Sequence, residues 1–107
     1  MTEQSKYLNG ELQLGNEEVD KMIQNLAKVK GRLGDFYSIK ENFVEALTEY
    51  DEAIQYRKKL NRSEPDRVIA SLELAMGNAY LFQGLEGAES DALTHLISAV
   101  NILTDTL

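Results

Sequence analysis

Apolar residues recur along most of this chain at spacings of three and four, the period of a helix that turns one face away from water. Val19, Met22, Ile23, Leu26, Val29, Leu33, Phe36 and Tyr37 keep that spacing and predict a first helix of about 22 residues. Asn16 stands where it can cap this helix, and Glu17 and Glu18 place negative charge where the helix dipole favours it. Asn42 with Glu45 three residues later has capping-box spacing, so a second helix should start near Phe43. Its apolar stripe is Phe43, Ala46, Leu47, Tyr50, Ala53, Ile54 and Leu60. Pro65 falls close to the first position of a third helix, with Ser63 or Glu64 before it. Val68, Ile69, Leu72, Met76, Ala79 and Tyr80 form the inner stripe of that helix. Gly84, Gly87 and Ser90 read as a longer turn, with Ser90 capping a fourth helix that presents Leu93, Leu96, Ile97, Val100 and Leu103. Residues 1–15 lack steady periodicity and contain the turn signals Asn9-Gly10 and Gly15, which predicts a flexible leader.

The third and fourth helices repeat the first two. Leu33-Gly34-Asp35-Phe36-Tyr37 returns as Met76-Gly77-Asn78-Ala79-Tyr80, with a large apolar residue before each Gly and Tyr three after it. Downstream, the triplet Ala46/Tyr50/Ala53 returns as Ala92/Leu96/Ala99. Glycine inside a helix costs about 1 kcal/mol relative to alanine, so two at matching places point to close backbone contact. Ala46 and Ala53 share one face of the second helix and can receive that approach, with Tyr50 filling the space between. Gly31 has no such explanation in the sequence.

This pattern resembles the tetratricopeptide repeat, in which glycines, aromatics and alanines hold helix A against helix B. The resemblance implies an all-α fold of antiparallel helical hairpins, with residues 16–62 as repeat one and 63–107 as repeat two. No tryptophan precedes Leu33 or Met76, and the glycines are 43 residues apart, where that repeat has about 34. Longer helices than usual are the expectation.

Composition narrows the function classes. A chain of 107 residues makes one domain at most and buries about two thirds of its unfolded surface. Hydrophobic content of 43% with one proline fits a folded helical chain rather than a disordered one. No apolar run approaches the roughly 18 residues of a membrane span, and no signal-peptide pattern opens the chain, so a soluble intracellular protein is expected. Cysteine is absent, which excludes disulfides and a cysteine-based metal site. A net charge of −7 disfavours direct nucleic-acid binding and favours a basic partner. The acids of the second helix precede its bases, Arg57, Lys58, Lys59 and Arg62, as a solvated outer face would. Those acids lack the spacing of a calcium loop. His95 has no second histidine or nucleophile beside it in the pattern and reads as a surface or boundary residue. With no Gly-x-Gly-x-x-Gly, no phosphate loop and no set of nucleophile, base and oxyanion donors, neither an enzyme nor a cofactor is expected.

In tetratricopeptide architecture helix A lines the concave, ligand-holding face. The resemblance then implies concave positions at Lys28, Asp35, Ser38 and Ile39, and at Ser71, Leu74, Asn78, Leu81 and Phe82. Leu74, Leu81 and Phe82 would form a small apolar floor beside Asp35 and Asn78, suited to an extended or helical peptide bearing Arg or Lys. The competing reading packs the same residues against a neighbouring helix or a second chain.

Three stretches are similar to the NASP-type histone chaperones, whose tetratricopeptide repeats are interrupted and long. They are Lys30 to Ser38 with Glu41-Asn42-Phe43-Val44-Glu45-Ala46, Asp66-Arg67-Val68-Ile69-Ala70 before Met76 to Tyr80, and Ala92 to Leu103. Glu11-Leu12-Gln13-Leu14 is similar to the start of the helix after that family's acidic insertion. The resemblance implies a fragment without the family's first repeat, acidic insertion or terminal helices. It further implies escort of histone H3, H3–H4 or a centromeric H3 variant in nucleus and cytoplasm, with Asp35, Asn78 and Phe82 as leading contacts and Glu73 and Tyr80 next. Two alternatives stand beside it. One is a general tetratricopeptide adaptor. The other is a structural fragment that pairs with itself, since two repeats are fewer than solenoids usually need and neither end has a polar cap.

Overall fold

A computed structural model describes residues 16–60 and 66–105, and among them every regular element is a helix. The four are α1 (Asn16–Ile39), α2 (Phe43–Lys58), α3 (Arg67–Gln83) and α4 (Ala88–Thr104). Each packs on its neighbour in the chain, α1 on α2, α2 on α3 and α3 on α4. The expected all-α architecture of antiparallel hairpins is what the chain adopts. Phe43 at the start of α2 lies beside Phe82 at the end of α3, with ring centroids 6.4 Å apart. Arg57 near the end of α2 meets Asp66 at the start of α3. These two contacts at opposite ends set α2 and α3 antiparallel.

The two helical glycines sit at the closest approaches within the hairpins. A Cβ placed on Gly34 would come within 2.5–2.9 Å of three carbons of the Tyr50 ring. One placed on Gly77 would lie 2.8 Å from Cγ and Cδ2 of Leu96 and 3.2 Å from the carbonyl oxygen of Ala92. In both hairpins the glycine therefore receives the bulky residue at the centre of the Ala-x3-bulky-x2-Ala triplet, whose alanines are all buried. Gly31 now has an explanation too: a Cβ there would stand 3.3 Å from Cδ2 of Leu72, where α1 approaches α3.

The core forms between α2 and α3, from Ala46, Tyr50, Ala53, Ile54, Leu72 and Met76, with Tyr37, Leu47, Ile69 and Tyr80 packed against it. Val68, expected on the inner stripe of α3, is exposed. The turn from α1 to α2 closes without glycine. The Asn42 N–H donates to the Tyr37 carbonyl at 2.8 Å and the Glu41 N–H to that of Ser38 at 3.0 Å, with Glu41 left-handed at φ 62°. Those paired bonds are the Schellman closure, which usually places glycine where Glu41 stands.

Two expected helix starts change, and a third, at Phe43, stands without its expected side-chain cap. Asp66, not Ser63 or Glu64, caps α3, because its carboxylate accepts from the backbone N–H groups of Val68 at 2.8 Å and Ile69 at 3.3 Å. Ser63, Glu64 and Pro65 lie outside the described residues, as do the leader 1–15 and Glu11 to Leu14 within it. Gly87, at φ 85°, precedes the first residue of α4, so Ser90 lies inside that helix. Asn42 does stand before α2, yet its side chain makes no capping hydrogen bond.

Candidate interaction site

Residues 74, 78, 81 and 82 share one side of α3 because they are spaced by four, three and one. Leu74, Asn78, Leu81 and Phe82 are all exposed there, and Phe82, 72% exposed, is among the barest large apolar residues described. Ser71 continues the row toward the helix start, also exposed. Phe82 leans toward Phe43 of α2, extending the aromatic surface past the end of α3. On α1, Lys28, Asp35 and Ile39 are exposed and Ser38 is half-buried.

Asp35 does work inside the hairpin. The Tyr50 hydroxyl donates to Asp35 Oδ1 at 2.5 Å and lies 3.3 Å from Ser38 Oγ. Burial pushes the Tyr50 phenol up to about 12, and the hydrogen bond to the Asp35 carboxylate adds to the rise. An exposed carboxylate thus has one oxygen engaged in holding the ring that fills the Gly34 gap.

Glu73 and Tyr80 belong to another face. They fall four before and three after Gly77, so they turn with it toward α4. Glu73 is buried and pairs through Oε2 with His95 Nδ1. Tyr80 stacks on the His95 ring, with centroids 5.4 Å apart and planes 9° apart. The structure therefore brings Leu74, Asn78, Leu81 and Phe82 together on an open side and places Glu73 and Tyr80 at the α3–α4 seam. His95 is half-buried between the two, the boundary position expected of it.

Two ionic contacts went unread in the sequence. Arg57 is buried and grips Asp66 with both nitrogens of a fork, Nε to Oδ2 at 2.9 Å and Nη2 to Oδ1 at 3.0 Å. Burial alone would push the Asp66 carboxyl up, but the Arg57 guanidinium and the capped N–H groups outweigh it and hold the group below its ordinary 3.8. Lys30 of α1 reaches two acids of α2, Glu49 at 3.2 Å and Glu52 at 2.6 Å, so part of the acid run faces the hairpin partner rather than water. The spacing Glu73, Gly77, Tyr80 around a contact glycine was a signal for the α3–α4 pair. Nothing local marks Arg57, whose partner is nine residues away across a loop.

Among the described residues no cluster of three His, Asp or Glu could hold a metal ion. No helix there is long and apolar enough to cross a membrane.

Fold and surface together define a small all-helical protein of two stacked hairpins with an exposed apolar row on α3. Compared with known protein families, curated proteins and solved structures, the chain matches none.

Proposed function

We propose that this chain is a protein-binding module of tetratricopeptide type with no catalytic role, which holds a basic polypeptide along the α3 face. One observation carries the reading: Leu74, Leu81 and Phe82 stay exposed beside Asn78 in a protein of net charge −7. Monomeric soluble proteins rarely leave a contiguous apolar patch bare without using it. An aromatic with an aliphatic floor gives burial, and the surrounding negative field speeds encounter with a positively charged partner. Histone H3, alone or with H4, is the partner that the resemblance of Lys30 to Ala46 and Asp66 to Tyr80 brings forward, and such an escort would work in both nucleus and cytoplasm.

The test is a titration of H3 peptides and H3–H4 against the protein, alongside unrelated basic peptides, across a range of salt. Phe82→Ala and Leu74→Ala should weaken H3 binding about tenfold or more, as loss of a central apolar contact does. These side chains are exposed, so the fold should be retained, with helicity by circular dichroism as the check. Selective H3 binding that persists at moderate salt supports the reading. Equal binding of every basic peptide, lost together as salt rises, would leave a general electrostatic adaptor and remove the histone.

A further inference from the structure

The six residues Val19, Met22, Leu26, Val29, Leu33 and Phe36 of α1 alternate strictly by three and four, the spacing of a helix–helix seam. All six are exposed. The molecule itself contains a covered version of this seam. With Gly34 placed in register with Gly77, Leu26 corresponds to Ile69, Val29 to Leu72, Leu33 to Met76 and Phe36 to Ala79. In α3 those positions form the surface on which α2 rests. Leu72 and Met76 share one buried cluster with Ala46, Tyr50, Ala53 and Ile54 of α2, and Ile69 packs against it. Leu72 is 7% exposed where its counterpart Val29 is 55% exposed.

Helix α4 is the converse. With Ala46 in register with Ala92, Leu47 corresponds to Leu93 and Ile54 to Val100. Ile54 is 2% exposed, covered by α3, while Val100 is 60% exposed. One end of the stack thus presents the α3-type half of the α2–α3 contact and the other end presents the α2-type half.

We infer that the chain associates head to tail with a second copy, α4 of one molecule lying antiparallel across α1 of the next. Val100 and Leu93 would then cover Val29 and Leu33 in the manner in which Ile54 lies with Leu72 and Met76. The occupant is a second copy because the surface on offer at each end continues an interface this same chain already builds. The antiparallel direction also keeps Glu89 and Asp91, in the first turn of α4, away from Glu17 and Glu18 in the first turn of α1. It brings them to the other end of α1, where exposed Arg32 and Lys40 stand among Asp35 and Glu41. The two surfaces differ, so the contact is heterologous and does not close on itself by a two-fold axis. Growth past the dimer follows.

Sedimentation over a range of concentrations should show a wild-type mean mass that rises beyond twice the monomer. Val29→Glu breaks the α1 surface and Val100→Glu the α4 surface. Each substitution falls on an exposed side chain, and unchanged circular dichroism confirms the fold. Either variant alone should stay monomeric. Their equimolar mixture should restore one interface and give a complex of two molecules and no larger. A wild type that stays monomeric throughout, a single variant that still associates, or a mixture that stays monomeric would each overturn the inference. Association by Val100→Glu alone would instead indicate α1 pairing with α1.

Discussion

Gly34→Ala is the sharpest probe of the packing. In an open helix the substitution would stabilise by about 1 kcal/mol through helix propensity. Here the new Cβ would sit 2.5–2.9 Å from the Tyr50 ring, closer than packed carbons allow. The ring cannot swing aside cheaply, since its backbone end is fixed in α2 and its hydroxyl is held by Asp35. Overpacking of this kind costs about 1–3 kcal/mol. Breaking a hydrogen bond to a charged acceptor adds roughly 1.5–3 kcal/mol. Against the propensity gain, the net expected loss is about 1.5–5 kcal/mol, or a fall in Tm of roughly 10 °C or more for a domain of this size. Gly77→Ala should also destabilise, because Cγ of Leu96 and the backbone carbonyl of Ala92 both stand in the way of the new Cβ, though no hydrogen bond is lost with it. Gly31→Ala should be close to neutral, since only the tip of Leu72 must yield. Urea unfolding of the three variants measures the series. The decisive control is Gly34→Ala in a Tyr50→Ala background, where the sign should reverse and the alanine should stabilise by about 1 kcal/mol. If Gly34→Ala is as stable as the wild type with Tyr50 present, the two helices do not touch there and the account of the hairpin is wrong.

Three further outcomes follow from the polar contacts. Asp66→Ala removes a helix cap worth about 0.5–2 kcal/mol and also leaves the Arg57 guanidinium without its partner, so it should destabilise more than Asp66→Asn, which can still cap. Because the Asp66 carboxyl is held below its ordinary 3.8, its contribution is present above that pH and is lost as the pH falls through the lower folded value, so wild type and Asp66→Asn should converge in urea midpoint at strongly acid pH. Burial and the hydrogen bond to Asp35 push the Tyr50 phenol up to about 12, so it should give a late step as the pH is raised. Its stabilising contribution holds below the ordinary value of 10.0 and is lost as the pH rises through the folded one, and the late step in ultraviolet titration should vanish in Tyr50→Phe. Glu73→Ala should lower stability by about 1–3 kcal/mol in thermal unfolding, by stripping His95 of its partner, and should change H3-peptide affinity less than Phe82→Ala does.

The helices, their order and the pairing of each contact glycine with its triplet were legible because they rest on local spacing. Positions 34, 50, 77 and 96 declare themselves by residue size at fixed intervals. Which face of α1 would be covered was not legible. The strongest apolar stripe, Val19 to Phe36, lies outside, while the inner face is built from Ala27, Gly31, Gly34 and Tyr37. Hydrophobic period reports that a face exists and not what is present to cover it. The start of α3 was misplaced for a similar reason. Ser63 and Asp66 are both acceptable caps by residue type, and Asp66, which caps α3, also meets Arg57. On the proposed binding side, Leu74, Leu81 and Phe82 stood out in the sequence because they interrupt the inner stripe. For Glu73 and Tyr80 the only signal was their spacing about Gly77, which turns them toward α4.

Asp66 ties the beginning of one hairpin to the end of the other with a single carboxylate, since the oxygens that secure the first turn of α3 also clasp the last turn of α2. In a linear array of helices, stability divides into terms within each unit and terms between adjacent units. Here one side chain contributes to both at once, so releasing α2 leaves the capping carboxylate of α3 without its charged partner. The two hairpins should therefore melt together as one cooperative block, and force pulling on the ends would meet a latch at residue 66 rather than a hinge.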